Sequence, residues 1–229
     1  MNKPVYIVIG AYGSGKSEFS IHLAQKLNKE GHDVALADMD VVNPYFRSRD
    51  VREDFAAIGI EVIAPEGAFK HADLPMISPR IKGAIESPEK TVILDVGGDP
   101  AGCRTLGLFV DALNKRGYEM IFVVNSFRPF TTNVAEVLQM QNQLEFASKL
   151  KISEYVCNNN LMEHTDQSVV EQGIEILSEC SAKTGLPFEK YLVMEDYADL
   201  VPDGLSGKTR LVMSHTLKKP WEALVMKGI

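Results

Sequence analysis

The sequence is short of several things, and each shortage narrows what it can be. Three cysteines, Cys103, Cys157 and Cys180, lie far apart with no C-x-x-C pair. Neither a disulfide framework nor an internal zinc site is signalled, and each thiol is expected to be a small buried apolar residue. The five histidines, His22, His32, His71, His164 and His215, show no metal-ligand pairing and are assigned no role. No apolar run approaches ~18 residues and a strand is entered within five residues of the start, so neither a membrane span nor a signal peptide is expected. There is no long basic block. Lys and Arg number 24 against 31 Asp and Glu, a net charge of −7, which argues against nucleic acid as the main partner. A cytoplasmic protein is expected. What is present is ordinary for a globular chain of 229 residues, 45% hydrophobic and 24% charged. One domain over residues 1–229 is expected, because no linker, repeat or low-complexity tract suggests a cut.

One stretch organises the rest. Gly10-Ala11-Tyr12-Gly13-Ser14-Gly15-Lys16-Ser17 follows the apolar run Val5–Ile9 and leads into a helical pattern, Glu18 to Lys29. This is the G-x-x-x-x-G-K-[ST] phosphate-binding loop in its required setting of strand, turn and helix N-terminus. Glycines let backbone amides approach a polyphosphate, and the free N–H groups of the helix start add positive potential. Lys16 is expected on the β- and γ-phosphates and Ser17 on Mg²⁺. Gly10, Gly13, Ser14, Gly15 and Glu18 complete the loop's share of the nucleotide site.

Strands are read at Pro4–Ile9, Val34–Ala37, Ile60–Ile63, Thr91–Val96, Met120–Val124, Glu154–Cys157 and Tyr191–Met194. Helices alternate with them, after the loop and at Arg80–Ile85, Leu106–Asn114, Thr132–Leu150, Gln167–Thr184 and near Trp221–Met226. The long helix Thr132–Leu150 carries Val134, Leu138, Leu144 and Phe146 as its apolar positions. Strand cores of Val, Ile and Leu imply a parallel sheet buried on both faces. The fold class is α/β: a three-layer P-loop fold whose mostly parallel sheet has about seven strands. Ligands bind such sheets at the carboxyl ends of strands. Here those ends carry Gly10, Asp40, Asp95, Asn125 and Asn158.

Asp95 ends an apolar strand, where a carboxylate would hold Mg²⁺ opposite Ser17. Gly97-Gly98 behind it suit a loop that senses the γ-phosphate, or a plain turn. Asp38 and Asp40 end the second strand, and their side chains are expected on opposite faces. Asp40 would orient the attacking water or support Mg²⁺, and Asp38 would be structural. Arg47, Arg49 and Arg52 are interleaved with Asp50, Glu53 and Asp54, as on a solvated, salt-bridged face. No N-K-x-D guanine reader is found: Asn114-Lys115-Arg116-Gly117 lacks the acid and falls on a helix end. Asn158 or Asn159 offers an amide to an adenine edge, which favours ATP over GTP.

With the loop, Asp38-x-Asp40-x-x-Asn43-Pro44, Asp95-x-Gly97-Gly98 and Asn158 in order, the chain resembles the SIMIBI class of P-loop NTPases. It looks most like the MinD/ParA and cobyrinic acid a,c-diamide synthase (CobQ/CobB) nucleotide-binding group, over roughly residues 3–200. That resemblance implies that Asp40 is the switch I aspartate, Asp95 the Walker B acid, Gly97-Gly98 switch II and Asn158 the base-contacting asparagine. It also implies that Met194-Glu195-Asp196 is the loop backing the adenine. MinD/ParA members have a lysine after the first loop glycine that reaches a dimer partner's phosphates. Here that residue is Ala11, so lysine exchange is not expected, while a homodimer made by other contacts stays open. The guanine motif and metal ligands of nickel-insertion GTPases, and the C-x-C of carbon monoxide dehydrogenase maturation ATPases, are missing.

The expectation is an Mg²⁺-dependent ATPase, with Lys16 and Asp40 as its catalytic residues, acting as a switch on an unidentified protein partner. The alternatives are an ATP-dependent ligase or kinase acting on a small-molecule acid, and a module that holds its nucleotide without hydrolysing it.

Overall fold

Side chains alternate across a β-strand, and that alternation sets the layers here. In β1 (Val5–Ile9), Val5, Ile7 and Ile9 enter one apolar cluster while Val8 enters another. In β2 (Val34–Met39) and β4 (Thr91–Val96), Ala35, Ala37, Met39, Val92 and Leu94 join the first cluster. Val34, Leu36 and Ile93 join the second. The computed structural model describes residues 4–40, 51–64 and 78–217. Together with β3 (Glu61–Ile63), β5 (Glu119–Val124), β6 (Glu154–Cys157), β7 (Phe188–Met194) and β8 (Thr209–Met213), these strands form one sheet. Its order is β3-β2-β4-β1-β5-β6-β7-β8, and every pairing is parallel.

Helices cover both faces, as a parallel sheet requires. On one face α1 (Lys16–Lys29) and α2 (Arg52–Ala57) contribute Phe19, Ile21, Ala24, Leu27 and Phe55 to the core. The other is covered by α3 (Arg80–Glu86), α4 (Pro100–Cys103), α5 (Val110–Arg116), α6 (Val134–Ser148) and α7 (Gln167–Thr184). All three cysteines are buried and unpaired, as expected.

The expected α/β fold with a parallel sheet of about seven strands is present, with eight strands among the described residues. The one not read from the sequence, β8, is a short, half-exposed edge strand in which only Leu211-Val212-Met213 follow Thr209 and Arg210. Three expectations are corrected. The expected Leu106–Asn114 helix is instead a 3₁₀ turn, Arg104–Leu108, followed by α5. On α6 the buried stripe is Val137, Met140, Gln141, Leu144 and Ser148, and the expected Val134 and Leu138 pack against the same core at its margin. Phe146, two residues past Leu144 and so on the far side, is 89% exposed. Finally, Asp38 and Asp40 are two residues apart and lie on the same side of the strand, while Met39 between them packs into the opposite core. The expected terminal helix near Trp221–Met226, Arg47, Arg49 and the Asn43-Pro44 pair lie outside the described residues. Arg52 opens α2 and donates to the Ala64 carbonyl at 3.1 Å.

Candidate functional site

The loop between β1 and α1 is closed by Ser14 N–H donating to the Ala11 carbonyl, 3.0 Å. Gly15 adopts φ 87°, where only glycine is comfortable, and a Cβ there would collide with the Asn158 amide. α1 differs from the two long helices of the other face at its start. Asn133 and Asp166 cap α6 and α7 with side-chain oxygens, whereas Gly15 provides no cap for α1. The first-turn amides of α1 are therefore left for an anion.

Beneath this turn lies a buried ionic cluster. Lys16 Nζ sits 3.7 Å from Asp40 Oδ2, both side chains almost fully buried. Asp38 and Asp95 are register partners across β2 and β4, which brings a second and a third carboxylate beside the pair. Asp38 Oδ1 accepts from the Asp40 amide at 3.0 Å, fixing the turn out of β2. Asp95 is 0% exposed, and among the described residues neither carboxylate oxygen has a hydrogen-bond partner. Burial pushes its carboxyl up to about 7. The Lys16 ammonium opposes the rise and the Asp38 and Asp40 carboxylates add to it. The Ser17 hydroxyl is near enough to oppose it weakly, without hydrogen-bonding geometry.

A buried carboxylate with both oxygens orphaned is costly unless something charged completes it. Among the described residues no three His, Cys, Asp or Glu side chains converge into a metal cage. The oxygen donors of Asp95 and Ser17 fit a hard divalent ion such as Mg²⁺, which takes one or two protein oxygens and draws the rest from water and phosphate.

Above the cluster opens a cavity of about 380 Å³, within the usual range for a small-molecule site. Gly13, Gly15, Lys16, Ser17 and Glu18 line it from the loop side. Asn125, Asn158 and Asn160 reach it from the ends of β5 and β6, and Met162, Met194, Met213, His215 and Leu217 give it a largely apolar wall. Asn158 Nδ2 donates to the Ser14 carbonyl at 2.7 Å, tying β6 to the loop. Glu18 accepts the Thr216 amide at 2.5 Å and the Leu217 amide at 3.2 Å, tying α1 to the segment after β8.

Gly98 approaches the loop from the far side. A Cβ on it would lie 2.9 Å from the Tyr12 amide nitrogen and 3.1 Å from the Gly10 carbonyl oxygen. Only a residue without a side chain allows that contact.

A family model, the CobQ/CobB/MinD/ParA nucleotide binding domain, matches residues 5–175. The chain belongs to this family. Its P-loop and parallel sheet are those of a nucleotide-binding P-loop domain of the MinD/ParA type. No curated relative matches the chain. Solved structures similar to this CobQ/CobB/MinD/ParA-type domain include FtsY from Thermotoga maritima, 18% identical with TM-score 0.56 over 83% of this chain and 62% of that one. Chloroplast FtsY from Physcomitrella patens is also 18% identical, with TM-score 0.60 over 90% and 64%. The chain thus spans a little under two thirds of the FtsY chains. A nucleotide-binding protein from Archaeoglobus fulgidus in complex with ADP is 17% identical, with TM-score 0.50 over 83% and 81%. At these identities the likeness is one of fold.

The sequence-derived candidates mostly converge in this family member. Gly13, Gly15, Lys16, Ser17, Glu18, Asn158 and Met194 line the cavity, with Asp40 and Asp95 beneath. Gly10 and the Ser14 side chain are packed under the loop. Asn159 is not brought to the cavity. It is 1% exposed, its Oδ1 accepts from Ser126 N–H, and its Nδ2 donates to Ser126 Oγ and the Val169 carbonyl. Ala11 is 2% exposed, whereas Tyr12 is 62% exposed.

Sequence reasoning missed Tyr12, Arg128, Asn160, Met162, Met213, His215 and Leu217 as lining residues. It placed Asn125 at a strand end without giving it a site role. The strand-end rule would have found Asn125 and Asn160. Met213, His215 and Leu217 follow only once β8 is recognised.

Proposed function

We propose that this protein binds ATP with Mg²⁺ in the cavity over the loop and hydrolyses it slowly, as a cytoplasmic switch read by a protein partner. The observation that carries this reading is the buried Lys16–Asp40–Asp95 cluster directly beneath an uncapped helix start. Lys16 and the loop amides neutralise charge that develops on the phosphates. Ser17 and Asp95 hold Mg²⁺, which when bound supplies further positive charge to the phosphate oxygens. The Asp40 carboxylate, released from Lys16 when a phosphate takes its place, orients the attacking water.

Adenine is favoured over guanine by the cavity's chemistry. Glu18 is the one carboxylate among the described lining residues, and both its oxygens already accept backbone amides. Among the described residues no lining carboxylate stands free to face the paired N–H donors of guanine, Glu18 being held by the backbone. The apolar wall with its three methionines suits a flat, polarisable ring. The ADP bound by the Archaeoglobus neighbour supports an adenine nucleotide by analogy of fold. Because Gly98 rests on the loop backbone, a phosphate that moves the loop moves the segment after β4, and a partner docked beside it would sense the change. Partner recognition, and any homodimer, would use the loop face where Tyr12 stands out rather than residue 11.

The test is to titrate ATP and GTP with Mg²⁺ and follow phosphate release for wild type, Lys16→Ala and Asp40→Ala. Binding lost in Lys16→Ala, with turnover lost in both variants, is the expected result. Turnover intact in Lys16→Ala would sink the proposal. Phosphate release that depends strictly on an added small acid would replace the switch with a ligase or kinase.

A further inference from the structure

The turn after β5 carries an arginine that no motif accounts for. Its backbone is held from both sides: Arg128 N–H donates to the Asn125 carbonyl at 3.1 Å, and Thr131 N–H donates to the Arg128 carbonyl at 3.3 Å. Thr131 Oγ1 adds bonds to the carbonyls of Asn125 and Arg128, at 2.9 and 3.1 Å. The side chain then lies flat on the phosphate-binding loop. Arg128 Nε donates to the Gly13 carbonyl at 3.0 Å, and a Cβ on Gly13 would lie 3.2 Å from that nitrogen.

Several other arginines of the fold have partners for their terminal nitrogens. Arg80 pairs with Glu61, Arg116 donates to the Ala84 and Ile85 carbonyls, and Arg210 donates to the Ala198 and Val201 carbonyls. Arg128 pairs with no carboxylate among the described residues, and it lines the same cavity as Lys16. A permanent cation that lines a nucleotide cavity and is pinned to the loop through Nε, with no Nη bond of its own among the described residues, has the form of an anion clamp.

We propose that Arg128 is a phosphate-binding residue, a second cation that contacts the polyphosphate of the bound nucleotide from within the same chain. The proposal rests on the nucleotide reading above and adds a residue to it. Because Nε is anchored, little side-chain entropy is lost when the Nη groups close on a phosphate.

The experiment measures Kd for ATP, ADP, tripolyphosphate and adenosine with wild type, Arg128→Ala, Arg128→Lys and, as a control, Lys16→Ala. Unfolding midpoints are recorded for each protein. Arg128→Ala is expected to weaken ATP, ADP and tripolyphosphate at least tenfold while leaving adenosine within twofold. Arg128→Lys is expected to restore part of the loss, because lysine returns the charge without the fork. The salt dependence of ATP binding should become shallower in Arg128→Ala. Equal weakening of adenosine and ATP, together with a lowered unfolding midpoint, would show a brace for the loop and overturn the proposal. ATP affinity unchanged in Arg128→Ala but lost in Lys16→Ala would overturn it and leave the nucleotide reading standing. Wild-type protein that binds no nucleotide would remove that reading itself.

Discussion

Replacing Asp95 with asparagine keeps the shape of the side chain and removes its charge, which makes it the sharpest probe of the buried cluster. The Asp95 carboxyl is raised from 3.8 to about 7 in the folded protein. Between about pH 4 and pH 7 the native state therefore holds a proton that the unfolded chain has lost, so wild-type stability falls as pH rises through that window. At ~1.4 kcal/mol per unit, a shift of about three units amounts to at most ~4 kcal/mol lost by pH 8. The neutral amide of the variant carries no such penalty. Measured without nucleotide and in a metal chelator, Asp95→Asn should gain on wild type by about 2–4 kcal/mol between pH 5 and pH 8, with the difference flat above pH 8. Urea unfolding of both proteins across that pH range reads the difference directly. With Mg²⁺ and ATP added, the order should narrow or reverse, because a ligand that binds only the native state stabilises it in proportion to its affinity, and the variant has lost an Mg²⁺ ligand. Parallel stability curves from pH 5 to pH 8 would refute the claim that Asp95 is buried without a partner.

Three further outcomes are expected. Gly98→Ala places a methyl against loop backbone that cannot swing aside; it should cost ~1–3 kcal/mol by chemical denaturation and lower phosphate release at least tenfold, and wild-type behaviour in both would disprove the contact. Gly173→Ala on α7 would ordinarily stabilise a helix by ~1 kcal/mol, but its Cβ overlaps the Asn159 amide with its three hydrogen bonds; a net loss of ~1–3 kcal/mol is expected in urea unfolding, and a net gain would contradict the packing. Calorimetric titration should give ATP a Kd at least tenfold below that of GTP, with equal affinities refuting the base assignment.

Much of this was legible in the sequence because one motif carries its own geometry. Gly10–Ser17 demanded a strand before it and a helix after it, and alternating apolar runs then supplied the parallel sheet around them. The loop, Lys16, Ser17, Asp40 and Asp95 converge because strand carboxyl ends share one edge. What escaped had weaker local signals. β8 has only three apolar residues in a row, Leu211-Val212-Met213, behind Thr209 and Arg210, too short a run to mark a strand, and the wall built by Met213, His215 and Leu217 went with it. Asn159 reads in the sequence like Asn158, yet one residue along the chain turns its amide inward to Ser126 and α7. Arg128 stands in an irregular turn where spacing rules have no purchase. Its position against Gly13 depends on the β1–β5 pairing, which only the folded sheet provides.

The two hydrogen bonds from Thr216 and Leu217 to Glu18 join residues nearly two hundred positions apart. During synthesis the loop and α1 emerge first, and the carboxylate that must anchor the last wall of the cavity waits through β2 to β8 for its partners. Contacts of such long sequence separation form late and slowly. The nascent protein can therefore assemble its sheet from β1 outward while its nucleotide cavity still lacks one side. Competence to hold a ligand firmly arrives only once the segment after β8 has emerged, so a product that stops short of it would be folded at its centre and open at its site.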